Sequence, residues 1–328
     1  MIPLRCLTAA KLSFSFLFLL GWCIAHGQDA WINVDSNYAV LPAGIHVYKS
    51  VEPLDGRPNI AYYLTADLHD KHLRFKTLEG NGKRITPAGF YEQEGKPAVV
   101  LNGSFFSYAT NKSLCLVMNG GRIERYNTLV HYDSAAGEWY YTTRGAIGIS
   151  RKREAEVGWI FTDSGRRWPY ALLQGPSLAK GKSDHPHIGD LRWEDLTGVR
   201  RGYKRWKMET AIGGGPVLIK DGKILITNKQ EYLFIKDSAV KHPRTAMGYT
   251  RDGRLVVLMI QGRSKDAEGA DLKQEARMLL DIGCYEAVNL DGGGSSCMLV
   301  NGKETIWPSD KGKERPVPSV FMISAFKP

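Results

Sequence analysis

The sequence predicts an α+β fold, made mainly of antiparallel β-sheet with a few helices and with the functional site at strand ends. Four turn dipeptides lie between short apolar runs: Asn119-Gly120, Asp221-Gly222, Asp252-Gly253 and Asn301-Gly302. Asn, Asp and Gly tolerate the positive φ of tight hairpins, so these dipeptides indicate antiparallel strand pairs. Apolar residues recur at helical spacing most clearly from about Ala270 to Ile282, where Gly283 stands at the position of a C-terminal cap.

Composition indicates a large globular protein. The chain has 328 residues, of which 43% are apolar, and this excludes disorder and a small disulfide scaffold. Its formal net charge is +10, from 44 Lys and Arg against 34 Asp and Glu. This excess favours either simple solubility or an anionic partner such as phosphate, an acidic glycan or a membrane surface. No charged run is typical of a nucleic-acid-binding tail.

The first 27 residues are typical of a signal peptide. A charged start precedes the apolar run Leu12–Leu20, and Ala25-His26-Gly27 places small residues at a cleavage site. We expect export to the periplasm or the extracellular space, with an uncleaved N-terminal anchor as the alternative. Trp22 before Cys23 argues against a lipoprotein, and no later segment looks transmembrane.

The mature chain is expected to contain a lead-in, residues 28–94, packed on a main domain, residues 95–328. Residues 183–210 interrupt the strand pattern and carry Trp193 and Trp206 among several Arg and Lys residues. This insertion is interpreted either as a solvated basic loop or as a rim that contacts an anionic or sugar substrate, with tryptophans as stacking platforms.

The cysteines and the known hydrolase motifs bear on disulfide bonding and on two hydrolase classes. Export leaves Cys115, Cys284 and Cys297, so at most one intramolecular disulfide can form. A Cys284–Cys297 pair is weakly favoured because the two residues flank one strand-turn unit, and buried free thiols are the equal alternative. No metal-ligand spacing and no G-x-S-x-G elbow occur, which disfavours zinc and serine hydrolases.

The densest candidate site is the run Ala287–Ser296. Val288 and Leu290 would face one side of a strand, while Asn289 and Asp291 would face the other. Three glycines and two serines follow, and glycine lets backbone N–H groups approach an anion closely. A glycine-rich turn with a capping Asp is the alternative.

Four other segments place polar groups at turns or strand ends. Arg244, in His242-Pro243-Arg244-Thr245, suits phosphate or carboxylate recognition. A strand from Leu255 ends in Gln261-Gly262-Arg263, and turns occur at Leu101–Phe106 and Ile212–Pro216. On the predicted helix, Glu275 lies at the edge of the apolar face, from which it could reach a cleft.

In this order, these elements resemble the phosphodiester glycosidase family over roughly residues 95–325. The resemblance rests on the following segments: Asn102-Gly103 with Phe105-Phe106, Gly213–Pro216, His242–Gly248, Leu272 through Glu275-Ala276, Asn289–Ser296, and Pro308-Ser309-Asp310 with Arg315. The HPRT and NLDGGGSS runs together are the most specific part.

The resemblance implies an exported hydrolase that cleaves a sugar-1-phosphodiester linkage and releases the sugar. It implies Glu275 and Asp291 as catalytic carboxylates and Arg244 as the phosphate clamp, with Arg263 as a second cation. Substrate-binding positions would be Asn102, Gly214, Thr245, Arg263, Asn289, Gly292, Gly293, Ser295 and Ser296. No metal ligand is assigned and no cofactor is required, although a divalent cation beside Asp291 is compatible with the pattern. The expected partner is a sugar phosphate or glycan and not a nucleic acid.

Two departures from the family pattern leave the substrate open. Gln261-Gly262 stands where the family often has Asp-Gly, and Ile306-Trp307-Pro308 lacks an Asn that often precedes the proline. Glutamine cannot act as a base, so the sugar need not be N-acetylglucosamine. The main alternative is a non-catalytic carbohydrate- or envelope-binding protein on the same scaffold. A phosphodiesterase that cleaves the P–O bond is a further alternative.

Overall fold

The computed structural model describes residues 31–128, 130–134, 137–180, 202–232 and 239–326. The predicted signal peptide lies outside these residues, as does most of the basic insertion, including Trp193. Within them the strands form five sheets, and every recorded strand pair is antiparallel. The predicted α+β fold dominated by antiparallel sheet is confirmed.

The largest sheet has eight strands and carries most of the candidate site. Its order is β1 (Ile32–Asn33), β2 (Ile45–Ser50), β3 (Ala61–Asp67), β21 (Arg254–Ile260), β20 (Arg244–Thr250), β22 (Cys284–Asn289), β18 (Val217–Lys220) and β19 (Lys223–Ile224). Strands β20, β21 and β22 are adjacent, so the ends of these strands bring HPRT, Gln261-Gly262-Arg263 and the glycine-rich run to one edge.

A seven-stranded sheet faces the eight-stranded sheet. Its order is β16 (Lys204–Arg205), β14 (Tyr170–Leu172), β13 (Ala155–Phe161), β12 (Arg144–Ile149), β17 (Thr210–Gly213), β8 (Val117–Asn119) and β9 (Arg122–Arg125). Two smaller sheets contain β10 (Val130–Asp133), β11 (Glu138–Thr142) and β15 (Leu178–Lys180), and β6 (Phe106–Ser107) with β7 (Lys112–Ser113).

A five-stranded sheet packs beside the eight-stranded and seven-stranded sheets. Its order is β24 (Lys303–Glu304), β23 (Met298–Val300), β5 (Val99–Asn102), β25 (Ser319–Ala325) and β4 (Leu73–Glu79). The helices α1 (Pro87–Gln93) and α2 (Leu272–Asp281) cover outer faces of the sheets.

One core joins the three large sheets. Leu64 and Met259 of the eight-stranded sheet, Trp159 of the seven-stranded sheet and Phe321 of the five-stranded sheet belong to the same buried cluster. Burying one such side chain contributes roughly 1.5–3 kcal/mol. The strands that precede residue 95 take part in this packing, since β3 pairs with β21 and β4 pairs with β25.

The four predicted hairpin turns are present. They connect β8 to β9, β18 to β19, β20 to β21 and β23 to β24. Asp221 and Asn301 have φ of 52° and 47°, and the glycine after each also has positive φ. The local turn chemistry therefore identifies these strand pairs.

The predicted helix is α2, which begins at Leu272 and ends at Asp281. Asp271 caps its N-terminus: the side chain accepts from the Gln274 N–H, and the Gln274 side chain accepts in turn from the Asp271 N–H. Leu272 and Ala276 are buried against the sheet, whereas Leu280 is 36% exposed. Leu280 follows the same helical spacing as these residues, but it lies on a more exposed side of the helix.

The weakly favoured disulfide between Cys284 and Cys297 is not formed, and the equal alternative of buried free thiols is the one found. Cys115, Cys284 and Cys297 are buried free thiols. Cys284 starts β22 and packs under α2, whereas Cys297 packs with α1 on the five-stranded sheet. The two thiols belong to different layers because the chain changes sheets between them.

Trp206 is not a surface platform. Its side chain is 2% exposed, packs on the outer face of the seven-stranded sheet, and donates its indole N–H to Glu156 at 2.5 Å. The rim interpretation is therefore wrong for this residue. No helix in the described part of the chain is long and apolar enough to cross a membrane.

Candidate active site

The candidate site is built around the loop that follows β22. Val288 and Leu290 enter the central core, as the alternation predicts. The chain then leaves the eight-stranded sheet, makes one 3₁₀ turn at Gly293–Ser295, and enters the five-stranded sheet at Met298. Asp291 stands where the strand ends, half-buried at the start of this crossing.

A buried hydrogen-bond network fixes the loop from below. Asn102, at the end of β5, donates its amide N–H to the Asp291 carbonyl at 2.6 Å. The Asn102 amide oxygen accepts from the Thr245 hydroxyl at 3.0 Å and from the Cys297 N–H at 3.1 Å. The hydroxyls of Thr245 and Ser296 are 3.1 Å apart. Three predicted site residues thus meet in one network, where each is at most 1% exposed.

The Asp291 carboxyl group has a pKa close to neutrality. Burial raises its pKa to about 7, against the opposing effects of a hydrogen bond from Ser295, the Arg315 charge and the Gly292 N–H. At pH 7 the group is present in both its protonated and its ionised forms. A carboxyl group in this state can accept or return a proton.

Arg315 provides a cation on one side of the loop. Its guanidinium group makes a two-pronged ion pair with Asp310, with Nε–Oδ2 at 2.7 Å and Nη2–Oδ1 at 2.9 Å. Its Nη1 lies 3.4 Å from the Ser295 hydroxyl. A Cβ atom at position 294 would overlap this ion pair, so only glycine fits there. Sequence reasoning gave Arg315 no role, and its place in the family resemblance was its only signal.

Arg263 provides a second cation on the other side of the loop. A Cβ at Gly293 would lie 3.0 Å from its Nη2, and Nη2 is 3.1 Å from Nδ1 of His242. Burial lowers the pKa of His242, as do the charges of Arg244 and Arg263, which favours a neutral imidazole. Gly292 approaches Pro243, whose carbonyl oxygen would be 2.8 Å from an added Cβ. The glycine run, Gly292–Gly294, therefore passes between the guanidinium groups of Arg263 and Arg315.

Arg244 and Glu275 form a separate buried pair. Arg244 is 3% exposed and Glu275 is fully buried, and 4.0 Å separates Nε from Oε2. Arg244 donates Nε–H to the Ala270 carbonyl at 2.9 Å and Nη2–H to the Val240 carbonyl at 3.0 Å. Sequence periodicity placed Glu275 at the edge of its apolar face, but the side chain lies in the interior beneath α2.

The Glu275 carboxyl group is poorly satisfied. Neither oxygen has a hydrogen-bond partner among the described residues. Burial raises its pKa to about 8, with Arg244 opposing the increase and Asp271 adding to it. The group is therefore mostly protonated at neutral pH. Its recorded charged neighbours are Arg244 and Asp271, whereas Asp291 is next to Arg315.

Gly214 and Asn289 bring two strands together. The Asn289 amide donates to the carbonyls of Gly215 at 2.7 Å and Leu290 at 2.8 Å. A Cβ at Gly214 would collide with the Asn289 backbone oxygen. The structure therefore places both residues in the support beneath Asp291.

The two departures from the family pattern are in contact. Gln261 is 7% exposed, and its amide oxygen accepts from the Trp307 N–H at 2.9 Å. The Trp307 side chain is 63% exposed, on the chain segment that continues to Asp310 and Arg315. Gln261 thus fixes the segment that supplies the Arg315 guanidinium group.

Glu231 is a buried carboxylate that sequence reasoning missed. It is fully buried and accepts from the Gly145 N–H at 2.8 Å, the Val217 N–H at 2.9 Å and the Trp159 indole N–H at 3.1 Å. These bonds tie the seven-stranded sheet to the eight-stranded sheet. No local pattern marks this residue, since these three partners are 14 to 86 residues away in sequence.

In the ranges that the structure describes, no group of three or more His, Cys, Asp or Glu residues is arranged to hold a metal ion.

Comparison with known proteins identifies related chains. A model of the phosphodiester glycosidase family matches residues 95–324. N-acetylglucosamine-1-phosphodiester alpha-N-acetylglucosaminidase of Bos taurus is 35% identical over 108 residues, which are 30% of this chain and 20% of that protein. The match thus spans about a fifth of that relative's length.

Two solved structures share the fold. The catalytic domain of zebrafish N-acetylglucosamine-1-phosphodiester alpha-N-acetylglucosaminidase, auto-inhibited by its pro-peptide, superposes with a TM-score of 0.59 at 20% identity, covering 88% of this chain and 86% of that one. A putative exported protein of Burkholderia pseudomallei superposes with a TM-score of 0.51 at 14% identity, covering 84% of this chain and 75% of that one.

Proposed function

This chain belongs to the phosphodiester glycosidase family, and we propose that it hydrolyses a sugar-1-phosphodiester, a glycosyl-phosphate linkage, to free sugar and a phosphate monoester. The observation that supports this most is Asp291, a half-buried carboxyl group with a pKa of about 7 in a loop bounded by two guanidinium groups. A proton acceptor and an anion site are the two parts that this reaction needs.

Arg263 and Arg315 are proposed to hold the phosphate. Both guanidinium groups lie against the glycine run, at Gly293 and Gly294, and can present paired N–H donors to phosphate oxygens. Negative charge increases on the phosphate as the glycosidic bond breaks, so fixed cations stabilise the transition state more than the ground state. Arg244 adds positive charge nearby, since its charge acts on both Arg263 and His242.

Asp291 is proposed as the general base. In its ionised form it takes a proton from water while the water oxygen forms a bond to the anomeric carbon. The bond between that carbon and the bridging oxygen breaks, and the bridging oxygen leaves with both electrons as part of the phosphate monoester. Because this monoester is a good leaving group, no strong general acid is required. Asp291 then returns its proton to solvent.

The buried residues of the predicted site are proposed to position these groups. Asn102 holds the backbone of Asp291, and Thr245 and Ser296 extend the same network behind Asn102. The pair Arg244–Glu275 fixes the strand end next to Arg263. Their burial makes a positioning role the better proposal than direct contact with substrate, because a group must reach the reacting atoms to act on them.

A non-catalytic carbohydrate-binding role is the second candidate, and Gln261 favours it. This side chain replaces a carboxylate often present in the family, and its amide is engaged with the Trp307 backbone. A binding protein would retain the anion site but would not turn over substrate.

The decisive experiment incubates the full chain with a panel of sugar-1-phosphodiesters in ¹⁸O-labelled water. We expect free sugar labelled at the C1 hydroxyl, and loss of at least about a hundredfold in rate for Asp291→Asn. Asp252→Asn, in the exposed turn at the other end of β20, is the matched control and should keep full rate. Label in the phosphate would instead show P–O cleavage, and sugar-phosphate binding without turnover would favour the binding protein.

Export is proposed from the N-terminal sequence pattern, and the putative exported protein of Burkholderia pseudomallei with the same fold is in keeping with it. N-terminal sequencing of the protein recovered outside the cytoplasm should begin at Gln28. A sequence beginning at Met1 would contradict cleavage.

A further inference from the structure

A groove rich in basic side chains lies at the far end of the seven-stranded sheet from Asp291. Two adjoining hollows of about 400 and 460 Å³ share Ser150, Arg151 and Glu209 in their walls. The two hollows lie at the turn after β12. The start of β12 is close to the candidate site, because the Gly145 carbonyl accepts a hydrogen bond from the N–H of Gly214, which lies beneath Asp291. At roughly 3.3 Å per residue, the strand separates the two regions by about 15–20 Å.

We define this basic groove by the six cationic side chains that line the two hollows and are free to face solvent: Lys71, Arg74, Arg151, Lys152, Arg205 and Lys207. Among the described residues, two carboxylates share these walls, Glu154 and Glu209, and Glu209 is paired with Arg151 at 2.7 Å. Lys152 and Lys207 have no carboxylate within 4.0 Å in the described part of the chain. Like charges gathered in a concave surface raise the local potential and attract an anion.

Two of the cations are held in place by aromatic rings. The Arg205 guanidinium carbon lies 3.7 Å from the centre of the Trp168 ring, and that of Arg74 lies 4.4 Å from the centre of the Phe326 ring. Stacking of this kind leaves the N–H edges of a guanidinium group free for carboxylate or phosphate oxygens. The buried neighbour Trp206 anchors the segment that carries Arg205 and Lys207. Less conformational entropy is lost when prearranged donors bind a ligand.

We propose that the basic groove binds an acidic polysaccharide, whose carboxylate or phosphate groups lie along the two hollows. Two adjoining hollows fit several units of a polymer better than one small anion. The anion site follows from the groove itself, whereas the choice of a polysaccharide over a nucleic acid rests on the proposed function, in which the substrate is a glycosyl phosphate. The groove would hold a charged glycan at a distance from Asp291.

The test measures binding of the full chain by calorimetry at 0.15 M salt, without turnover. The probes are polygalacturonate for carboxylates, phosphomannan for phosphates, dextran as the neutral polysaccharide, and a 30-nucleotide oligothymidylate. We expect both acidic polysaccharides to bind, binding to weaken in 0.5 M salt because surface charges are screened, and dextran not to bind.

Charge reversal locates the site. Lys152→Glu/Lys207→Glu should weaken binding of the acidic polysaccharides at least about tenfold, since two cations become anions. Lys223→Glu/Lys273→Glu makes the same charge change at exposed positions on β19 and α2, and should change affinity less than about twofold.

Three results would overturn the proposal: neither acidic polysaccharide binds, the two double variants bind them equally, or oligothymidylate binds more tightly than either. Hydrolysis of a small sugar-1-phosphodiester is measured separately and should be unchanged in Lys152→Glu/Lys207→Glu. If the wild type binds neither acidic polysaccharide, the result counts against the basic groove. If the wild type does not hydrolyse the sugar-1-phosphodiester, the result counts against the proposed function.

Discussion

Replacing Glu275 by glutamine should change how the stability of the protein depends on pH. The carboxyl group is fully buried, and neither oxygen has a hydrogen-bond partner in the described structure. Burial raises its pKa from 4.5 to about 8. The folded protein therefore holds this proton over a pH range in which the unfolded chain has released it.

The sign of the effect follows from proton linkage. Between pH 4.5 and pH 8 the folded state binds more protons at Glu275 than the unfolded state, so stability decreases as pH rises. A pKa difference of about 3.5, at about 1.4 kcal/mol per pH unit, gives about 5 kcal/mol in total. About 4 kcal/mol of this falls between pH 5 and pH 9. Glu275→Gln removes the titrating group and with it this dependence.

The measurement is urea unfolding of the wild type and Glu275→Gln at pH 5, 7 and 9. The free energy of unfolding of the wild type should decrease more than that of the variant between pH 5 and pH 9, by about 4 kcal/mol. Glu92→Gln, at a position 63% exposed on α1, is the matched control and should follow the wild type. Parallel loss of stability in wild type and Glu275→Gln would refute the assignment of a proton to this buried group.

Three further predictions concern the site itself. If Asp291 is the general base, kcat/KM should increase as pH rises through about 7 and level off above it, because only the ionised form accepts a proton; a pH–rate profile that is flat from pH 5 to pH 9 would exclude this role. Gly294→Ala should lower the free energy of unfolding by roughly 1–3 kcal/mol in urea titration, because the added Cβ overlaps Arg315 and Asp310. Gly175→Ala, where nothing lies within 4 Å of the added Cβ, should change it little, and equal effects would contradict the packing argument. Dialysis against EDTA should leave hydrolysis unchanged, since we propose that no metal cofactor is required; activity lost in EDTA and restored by a divalent cation would show the opposite.

Local chemistry explains what could be predicted from the sequence. Asn-Gly and Asp-Gly turns specify hairpins through backbone torsions at two residues, and the structure contains all four. The cap formed by Asp271 and Gln274 is similarly local and fixes where α2 begins. The alternation of Val288 and Leu290 identified the buried face of β22 because a strand repeats every two residues.

Features that depend on packing between distant segments could not be predicted. Periodicity placed Glu275 at the edge of an apolar face, but packing against the sheet buries Gln274 and Glu275 together with the apolar residues of α2. Cys284 and Cys297 are close in sequence yet belong to different sheets. Arg315 joins Ser295 across a separation of 20 residues, and no spacing rule indicates such a pair.

The position of Asn102 has a consequence for synthesis of the protein on the ribosome. This residue holds Asp291, and its own strand, β5, lies between β23 and β25 in the five-stranded sheet. Strand β25 begins at Ser319, 217 residues after Asn102. The support for Asp291 is therefore incomplete until β25 has emerged from the ribosome. A nascent chain, or a product truncated before β25, would contain every residue of the glycine run and still lack the complete support for Asp291.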